Sequence, residues 1–593
     1  MLYFLEYSRL TALDLENEMA WQHIGMGLKP SGLALMLGGA TLLTGLPAQA
    51  AEEIFLRYGP LERSIRTSSL EALAAEGTIS EDLAFYFNLA KLSEIQIEQL
   101  RQNLDRPLPI DGVLLSRFLY TNLGEDLLDQ VGAILQTRSG DNGKLALRAA
   151  LIQAAISPQG LSTLSMMQAL PTDIQINVAD ALALANAVEQ IVNATNSSVA
   201  HLATLTAQQA AETTPLDYAS LTDLIVPVPA RVQIQRFNLT DTERDGKGPG
   251  PEGHRQLYID VVRPTVWRGQ APVMVFSHGL SSSPEVHHRW ASHLASHGIV
   301  VVLPQHPGSD AQQVANFQAG LSQQVFELQE FIDRPLDITF VLNELERLNP
   351  TEFDGRLNLA QVGVGGHSLG GYTALAVAGA ELNFPHLEQD CGARSNPAQN
   401  RRFIHLNMSL LLQCQALDLP RQPYTFRDPR VNSVLLINPV NSSIFGPEGL
   451  AAVTVPVMII AGSHDPATPA VFEQFRTFPW YSTAHRFLVL IEGQAHVDLS
   501  ALDAGLSHLL TTVPGLALAE PEVIERYMNA IGLAFVGRYV ARRPEYDLYL
   551  RSGYATYLSQ SEAFRAFMVN TESGTDQELT PPMDNQLDLL ELP

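Results

Sequence analysis

Apolar residues recur along this chain with two different periods. From residue 51 to about residue 210 they follow the three- and four-residue spacing of amphipathic helices. Two Ser-x-x-Glu/Gln capping boxes, Ser68 with Glu71 and Ser93 with Gln96, mark helix starts in this stretch. The pattern therefore predicts an all-α domain over residues 51–210.

A linker over residues 211–229 precedes a change to the period of strands. "RVQIQRFNLT" and "RQLYIDVVRP" alternate like two antiparallel strands, and "APVMVFSHG" and "GIVVVLPQH" are continuously apolar, as buried parallel strands are. Helix-like segments separate these and later apolar runs. Residues 230–570 are therefore predicted to form an α/β domain, with a doubly wound, mostly parallel sheet.

Two further segments stand apart from this alternation. An insertion at about residues 384–430 carries closely spaced apolar residues between Phe403 and Leu412, which predict a cap or a mobile lid; an ordinary packed cap helix remains an equal alternative. The tail, residues 571–593, contains acidic residues but neither Lys nor Arg, and is predicted to be disordered.

Residues 1–50 have the pattern of an export signal. A basic residue, an apolar run and the small residues Ala48 and Ala50 predict cleavage before Ala51. Acidic residues upstream of Met26 do not suit a leader, so Met26 is predicted to be the true start. The apolar run is shorter than the ~20 residues that span a bilayer, although an N-terminal anchor remains the alternative. We expect export to the periplasm, the medium or a thylakoid lumen, with no integral span after cleavage.

Length, composition and charge limit the kinds of function that the protein can have. The chain has 593 residues, 46% of them hydrophobic, which is enough for more than one globular domain. Its 63 acidic against 37 basic residues give a net charge of −26, which repels nucleic acid. No nucleic-acid partner is expected, and no partner is predicted for the helical domain.

The strongest chemical motif is Gly366-His367-Ser368-Leu369-Gly370, which follows an apolar strand and precedes a helix-like run. This is the setting of a nucleophile elbow, in which glycines let strand and helix approach closely around a strained serine. The glycine spacing fits neither G-x-G-x-x-G nor a P-loop. Ser368 is therefore predicted to be a nucleophile.

Partners for such a serine follow later strands. Asp465 comes after "VPVMIIAGS" and His496 after "HRFLVLIEG", giving the order Ser, Asp, His expected of an α/β-hydrolase. His496 is predicted to be the base and Asp465 its orienting acid, with Asp498 and Glu492 as rivals for the acid.

Two backbone N–H groups are expected to form the oxyanion hole. Leu369 follows the nucleophile, and Leu280 follows Gly279, which gives the loop room to turn; His278 is expected to brace that loop. No cofactor and no metal are predicted. His293 and His297 form an i, i+4 pair, but no H-E-x-x-H motif accompanies them.

The chain resembles known serine α/β-hydrolases. "FSHGLSSSPEVHHRWASHLASHGIVVVLPQHPGS", "GHSLGGYTAL", "AGSHDPATP" and "GQAHVDL" are similar to platelet-activating-factor acetylhydrolase, cutinase-like esterases and predicted dienelactone hydrolases, over roughly residues 226–560. "IFLRYGPLERSIRTSSLEALAAEG" resembles the helical domain of unknown function that precedes such hydrolases in cyanobacterial exported proteins. Dienelactone hydrolases proper use a cysteine nucleophile, so Ser368 favours ester hydrolysis.

Cys391 and Cys414 are the only cysteines. In an oxidising compartment they are predicted to form a disulfide that staples the insertion, with two unpaired cysteines as the alternative.

Together these features predict an exported serine hydrolase of small-molecule or lipid carboxylic esters. A lipase or phospholipase and a non-catalytic binding protein on a hydrolase scaffold are the two alternatives.

Overall fold

The computed structural model describes residues 51–89, 91–108, 110–245, 253–267, 269–392, 407–496 and 517–571. The predicted export signal, the acidic tail beyond Thr571 and residues 393–406 of the predicted lid lie outside these ranges. The strands in chain order are β1 (Glu53–Tyr58), β2 (Leu61–Arg66), β3 (Leu135–Thr137), β4 (Ile174–Asn177), β5 (Val232–Asp245), β6 (His254–Pro264), β7 (Ala271–Ser277), β8 (Val300–Pro304), β9 (Leu357–His367), β10 (Val431–Ile437), β11 (Val457–Gly462), β12 (Arg486–Ile491) and β13 (Ala566–Asn570).

Helices connect most of these strands. In chain order they are α1 (Thr67–Glu76), α2 (Glu81–Leu89), α3 (Glu94–Leu104), α4 (Gly112–Phe118), α5 (Asn122–Ile134), α6 (Lys144–Ile156), α7 (Thr163–Gln168), α8 (Val178–Glu212), α9 (His288–Ser296), α10 (Ala311–Ala319), α11 (Glu330–Glu352), α12 (Leu369–Ala378), α13 (Phe384–Cys391), α14 (Leu410–Gln413), α15 (Ser442–Ala451), α16 (Pro521–Tyr539) and α17 (Ser552–Ser559). Within the described ranges, none of them is both long and apolar enough to cross a bilayer.

The chain divides into two compact units. The first contains the described residues of 51–108 and 131–179, and the second contains those of 110–130, 180–496 and 517–571. The first unit has a four-stranded sheet in the order β2-β1-β4-β3, counted over its described residues. The prediction of an all-α region is therefore wrong. The parallel pairing of β1 with β4, which aligns Ile54 with Ile174, joins segments too far apart for a local period to reveal.

Helix starts in the first unit test the predicted capping boxes. Ser93 and Gln96 form the predicted box at the start of α3, where each side chain accepts the other residue's backbone N–H. The box predicted for Ser68 and Glu71 is wrong, because α1 begins at Thr67 and Ser68 lies inside it.

The second unit contains one large sheet. Over its described residues nine strands follow the order β13-β12-β11-β10-β9-β7-β8-β6-β5. The six strands from β12 to β8 are mutually parallel. At one edge β13 pairs antiparallel with β12, and on the other side β6 runs antiparallel to β8, followed by the edge strand β5, which runs antiparallel to β6. The predicted α/β fold with a doubly wound, mostly parallel sheet is confirmed.

Both faces of the sheet are covered, and this explains why its central strands are continuously apolar. On β7, Val273 and Val275 face a core that includes Ile338 of α11. Met274 and Phe276 face the opposite core, which includes residues of α9 and α16. Alternate residues of one strand thus serve two hydrophobic layers.

The boundary between the units differs from the predicted one. Helix α8 continues to Glu212 and belongs to the second unit from Asp180 onward, where Gln209 Nε2 donates to Asn570 O at 3.0 Å. The predicted linker is packed rather than free. Leu224 is buried, and the Tyr218 ring lies 5.3 Å from that of Tyr554.

A proline inside helix α11 leaves a carbonyl that bonds to helix α12. Pro335 has no N–H to donate to the carbonyl of Phe331, four residues earlier. The hydroxyl of Tyr372 donates to that carbonyl instead, at 2.6 Å, and the Tyr372 side chain is fully buried. A helix defect in α11 is thereby repaired by a residue of α12.

Replacing this tyrosine tests the repair. Tyr372→Phe leaves the buried Phe331 carbonyl without its donor, which costs about 1–3 kcal/mol in the free energy of unfolding. Urea denaturation of the full chain would measure that loss.

A double-mutant cycle supplies the control. Pro335→Ala restores a backbone N–H four residues after Phe331, so Tyr372→Phe should cost less in that background than in the wild type. An equal cost in both backgrounds would contradict the repair. Tyr58→Phe, at a ring that is 58% exposed, should leave the unfolding midpoint unchanged.

Candidate active site

The predicted elbow lies between β9 and α12. Ser368 has φ 55° and ψ −119°, a region that residues with a side chain rarely adopt. A Cβ on Gly366 would lie 2.1 Å from Gly370 O, and one on Gly370 would lie 2.0 Å from Ser277 O. Both flanking glycines are therefore required by close backbone approach, as the motif predicted.

Hydrogen bonds from β10 and the following loop hold the strained serine. Ser368 N donates to Ile437 O at 2.9 Å, and Val440 N donates to Ser368 O at 3.2 Å. Gly371 N also donates to Ser368 O, at 2.8 Å, inside the first turn of α12. Such a conformation persists only when its surroundings over-determine it.

The predicted acid and base are paired. Asp465 lies in the loop after β11 and His496 follows β12, and His496 Nδ1 lies 2.7 Å from Asp465 Oδ2. Both residues are at least 95% buried. The His496 ring contacts that of His367, with centroids 4.5 Å apart, and His367 directly precedes Ser368. The Asp465–His496 pair thus lies beside the residue that precedes Ser368, at the carboxyl ends of the parallel strands.

Neutral donors surround the Asp465 carboxylate. Ala467 N and Thr468 N donate to Oδ1 at 2.8 and 2.9 Å, while Thr468 Oγ1 donates to Oδ2 at 2.7 Å. Burial alone would raise the pKa of Asp465, but the His496 ring and the Thr468 donors hold that pKa below its usual value. The carboxylate therefore stays ionised at neutral pH.

Asn438 is a part of this site that the sequence-based predictions missed. Its Nδ2 donates to Asp465 Oδ2 at 2.5 Å, and its Oδ1 accepts from Gln494 Nε2 at 3.1 Å. Asn438 follows strand β10 directly and has a positive φ of 44°. The strand-end placement that pointed to Asp465 and His496 applies equally to Asn438, so the signal was available.

The oxyanion loop, defined as residues His278, Gly279 and Leu280, lies against the elbow. A Cβ on Gly279 would be 2.9 Å from His367 Nδ1 and 3.4 Å from Ser368 Cβ. Leu369 is the first residue of α12, and the first N–H groups of a helix have no acceptor within it. The loop therefore packs against the elbow, and the assignment of Leu280 and Leu369 as the two backbone donors stays a prediction.

His278 braces this loop. Its Nδ1 lies 2.7 Å from Gly279 O, and His306 N donates to its Nε2 at 3.2 Å. Burial, reinforced by the charge of Arg334, holds the pKa of His278 well below its usual value. A neutral ring bonded on both sides is not available as a base.

The rival residues take other roles or lie outside the structure. Glu492 Oε2 accepts from Arg565 N at 2.9 Å, beside β13, and Asp498 lies outside the described residues. His293 and His297 have ring centroids 5.0 Å apart, but no group of three metal-ligating side chains was found in the described part of the chain.

The insertion is fixed at both ends. Cys391 and Cys414 form the predicted disulfide, with Cα atoms 5.7 Å apart. Between these cysteines, Ser409 Oγ and Gln413 Nε2 donate to the fully buried Glu473 carboxylate, which follows β11. Glu473 also accepts from Ser442 N at the start of α15, so this carboxylate links the insertion to α15.

Comparison with protein families places the chain in a class. A family described as an alpha/beta hydrolase of unknown function, DUF1400, matches residues 50–177, and the chlorophyllase family matches residues 254–388. Sequence comparison with curated proteins returned no match. The chain has the α/β-hydrolase fold, and the two matches support an α/β-hydrolase and suggest hydrolase activity. The finer resemblances, to platelet-activating-factor acetylhydrolase, cutinase-like esterases and dienelactone hydrolases, stay predictions.

Asn438→Ala tests the newly found site residue. Loss of a hydrogen bond to a charged group, about 1.5 kcal/mol, should lower kcat for hydrolysis about tenfold with KM little changed. With one donor fewer, more of the Asp465 charge acts on His496 and favours its protonated form. The rise of kcat/KM with pH should therefore move to higher pH.

Asn432→Ala is the matched control, because Asn432 lies near the other end of β10 and donates to Tyr539 O. It should leave both kcat and the pH profile unchanged. An Asn438→Ala enzyme with the wild-type kcat and pH profile would argue against the positioning role.

Proposed function

We propose that the protein is a serine hydrolase that cleaves carboxylic esters through Ser368, His496 and Asp465. The observation that carries this proposal is the strained serine elbow beside a buried Asp–His pair, at one edge of the sheet. An Asp-oriented imidazole and a serine exposed by a sharp turn are the parts that acyl transfer needs.

In the proposed reaction His496 takes the Ser368 hydroxyl proton as Oγ attacks the ester carbonyl carbon. The N–H groups of Leu280 and Leu369 receive the negative oxygen of the tetrahedral intermediate. His496, held by Asp465, then gives the proton to the departing alcohol and leaves an acyl-serine. Water repeats the sequence and releases the acid.

Ser368→Ala tests the nucleophile. The variant should lose covalent labelling by a fluorophosphonate probe and hydrolysis of p-nitrophenyl esters, while its thermal unfolding midpoint stays near that of the wild type. Ser559→Ala, which changes a different buried serine at the end of α17, should keep the label. Labelling that survives in Ser368→Ala would refute this assignment, and a wild type that is never labelled would favour a binding protein on a hydrolase scaffold.

A lipase or phospholipase is the second candidate, favoured by the apolar insertion. Its described residues Leu410, Leu412 and Leu419 are buried, and Ser409 of the same segment donates to the buried Glu473 carboxylate. The same ester assay separates the candidates. The activity of a lipase should rise with longer acyl chains and with micelles, whereas the activity of a small-ester hydrolase should fall under both conditions.

We also propose export, with cleavage after Ala50. The Cys391–Cys414 disulfide supports this location, because disulfides persist in oxidising compartments. N-terminal sequencing of the protein recovered from the periplasm or medium of an expressing cell should give Ala51 first. An intact N-terminus on protein that stays in the cytosol would contradict export.

A further inference from the structure

A buried arginine lies behind the oxyanion loop. Arg334, on helix α11, has no exposed surface. Its Nη1 donates to His278 O at 2.7 Å and its Nη2 donates to Gly279 O at 3.3 Å. Its Nε donates to Ser309 Oγ at 2.8 Å. One rigid guanidinium therefore holds two consecutive carbonyls of the loop.

Peptide geometry turns this contact into a constraint on a donor. The Gly279 carbonyl and the Leu280 N–H belong to one planar trans peptide, so they point in opposite directions. The same carbonyl also accepts from Ser282 N at 3.4 Å, besides its contact with His278 Nδ1. Fixing this oxygen fixes the direction of the Leu280 N–H.

The guanidinium also carries a charge next to the peptide. Burial lowers the pKa of Arg334 to about 10, against the opposing charges of Glu330, Asp337 and Asp310. The side chain therefore remains a cation at neutral pH. A cation on the carbonyl side of a peptide polarises it and strengthens its N–H as a donor, especially where the surroundings exclude water.

We propose that Arg334 is a positioning residue of the oxyanion hole, which aims and polarises the Leu280 N–H toward the negative oxygen of the intermediate. This inference rests on the proposed ester hydrolysis. It assigns to helix α11 a part in the reaction, although Arg334 lies behind the loop and acts through Leu280.

The test compares Arg334→Lys and Arg334→Met in the full chain. Loss of one oxyanion donor typically lowers kcat by about 10²–10³-fold. We expect a loss of this order for Met and roughly tenfold for Lys, which keeps the charge but not the two-carbonyl fork, with KM within about twofold of the wild type.

A trifluoromethyl ketone inhibitor supplies a readout that a structural role would not move. It forms a tetrahedral oxyanion on the serine, so its inhibition constant should weaken in proportion to the loss of kcat/KM. Arg430→Met is the control. Arg430 pairs with Asp428 and Glu346 in the same unit, and its loss should lower the unfolding temperature while preserving kcat and ketone affinity.

Folded Arg334 variants with wild-type kcat and ketone affinity would overturn the positioning role. If Arg334→Met does not fold, Arg334→Lys alone decides between the two results. A wild type that neither hydrolyses esters nor binds the ketone would instead overturn the proposed function, and this inference with it.

Discussion

The strained backbone of Ser368 is the constraint on which the candidate site depends. A non-glycine residue at φ 55° and ψ −119° costs on the order of 1–3 kcal/mol, and this must be offset by neighbouring structure. The offset comes from Ile437 O and Val440 N on the β10 side, and from Gly366 and Gly370, which permit the close approach. Ser368 itself is buried, with 8% of the residue exposed, so these contacts surround it closely.

Polar groups around the serine are buried, and the contacts they make are specific. The Asp465 carboxylate is held by Thr468, Asn438 and His496, while the guanidinium of Arg334 meets the oxyanion loop from behind. A buried polar group left unpaired is costly, so each of these contacts restricts the orientation of the next. The Tyr372 hydroxyl adds one more such contact. It bonds α12, which begins at the elbow, to α11, which carries Arg334.

The parts of this structure that local sequence determines were predictable. Glycine spacing located the elbow, continuous apolar runs located the parallel strands, and polar residues after those strands located Asp465 and His496. What was missed depends on contacts between distant segments. The sheet of the first unit pairs Ile54 with Ile174. Arg334 bonds to the oxyanion loop, 55 residues away in sequence. Neither contact produces a local period or a motif in the sequence.

The two family matches cover different segments of the chain, and they differ in how much of the candidate site they include. Residues 50–177 match a family described as an alpha/beta hydrolase, yet none of the predicted catalytic residues lies there. The chlorophyllase match, 254–388, contains the oxyanion loop and the elbow but ends before Asp465. In the sheet, β9, β10, β11 and β12 are successive parallel neighbours, so their carboxyl ends lie at one end of the sheet. The sheet order therefore accounts for what the matches leave open, because it brings Asp465 and His496, which follow β11 and β12, to the same end as the elbow after β9.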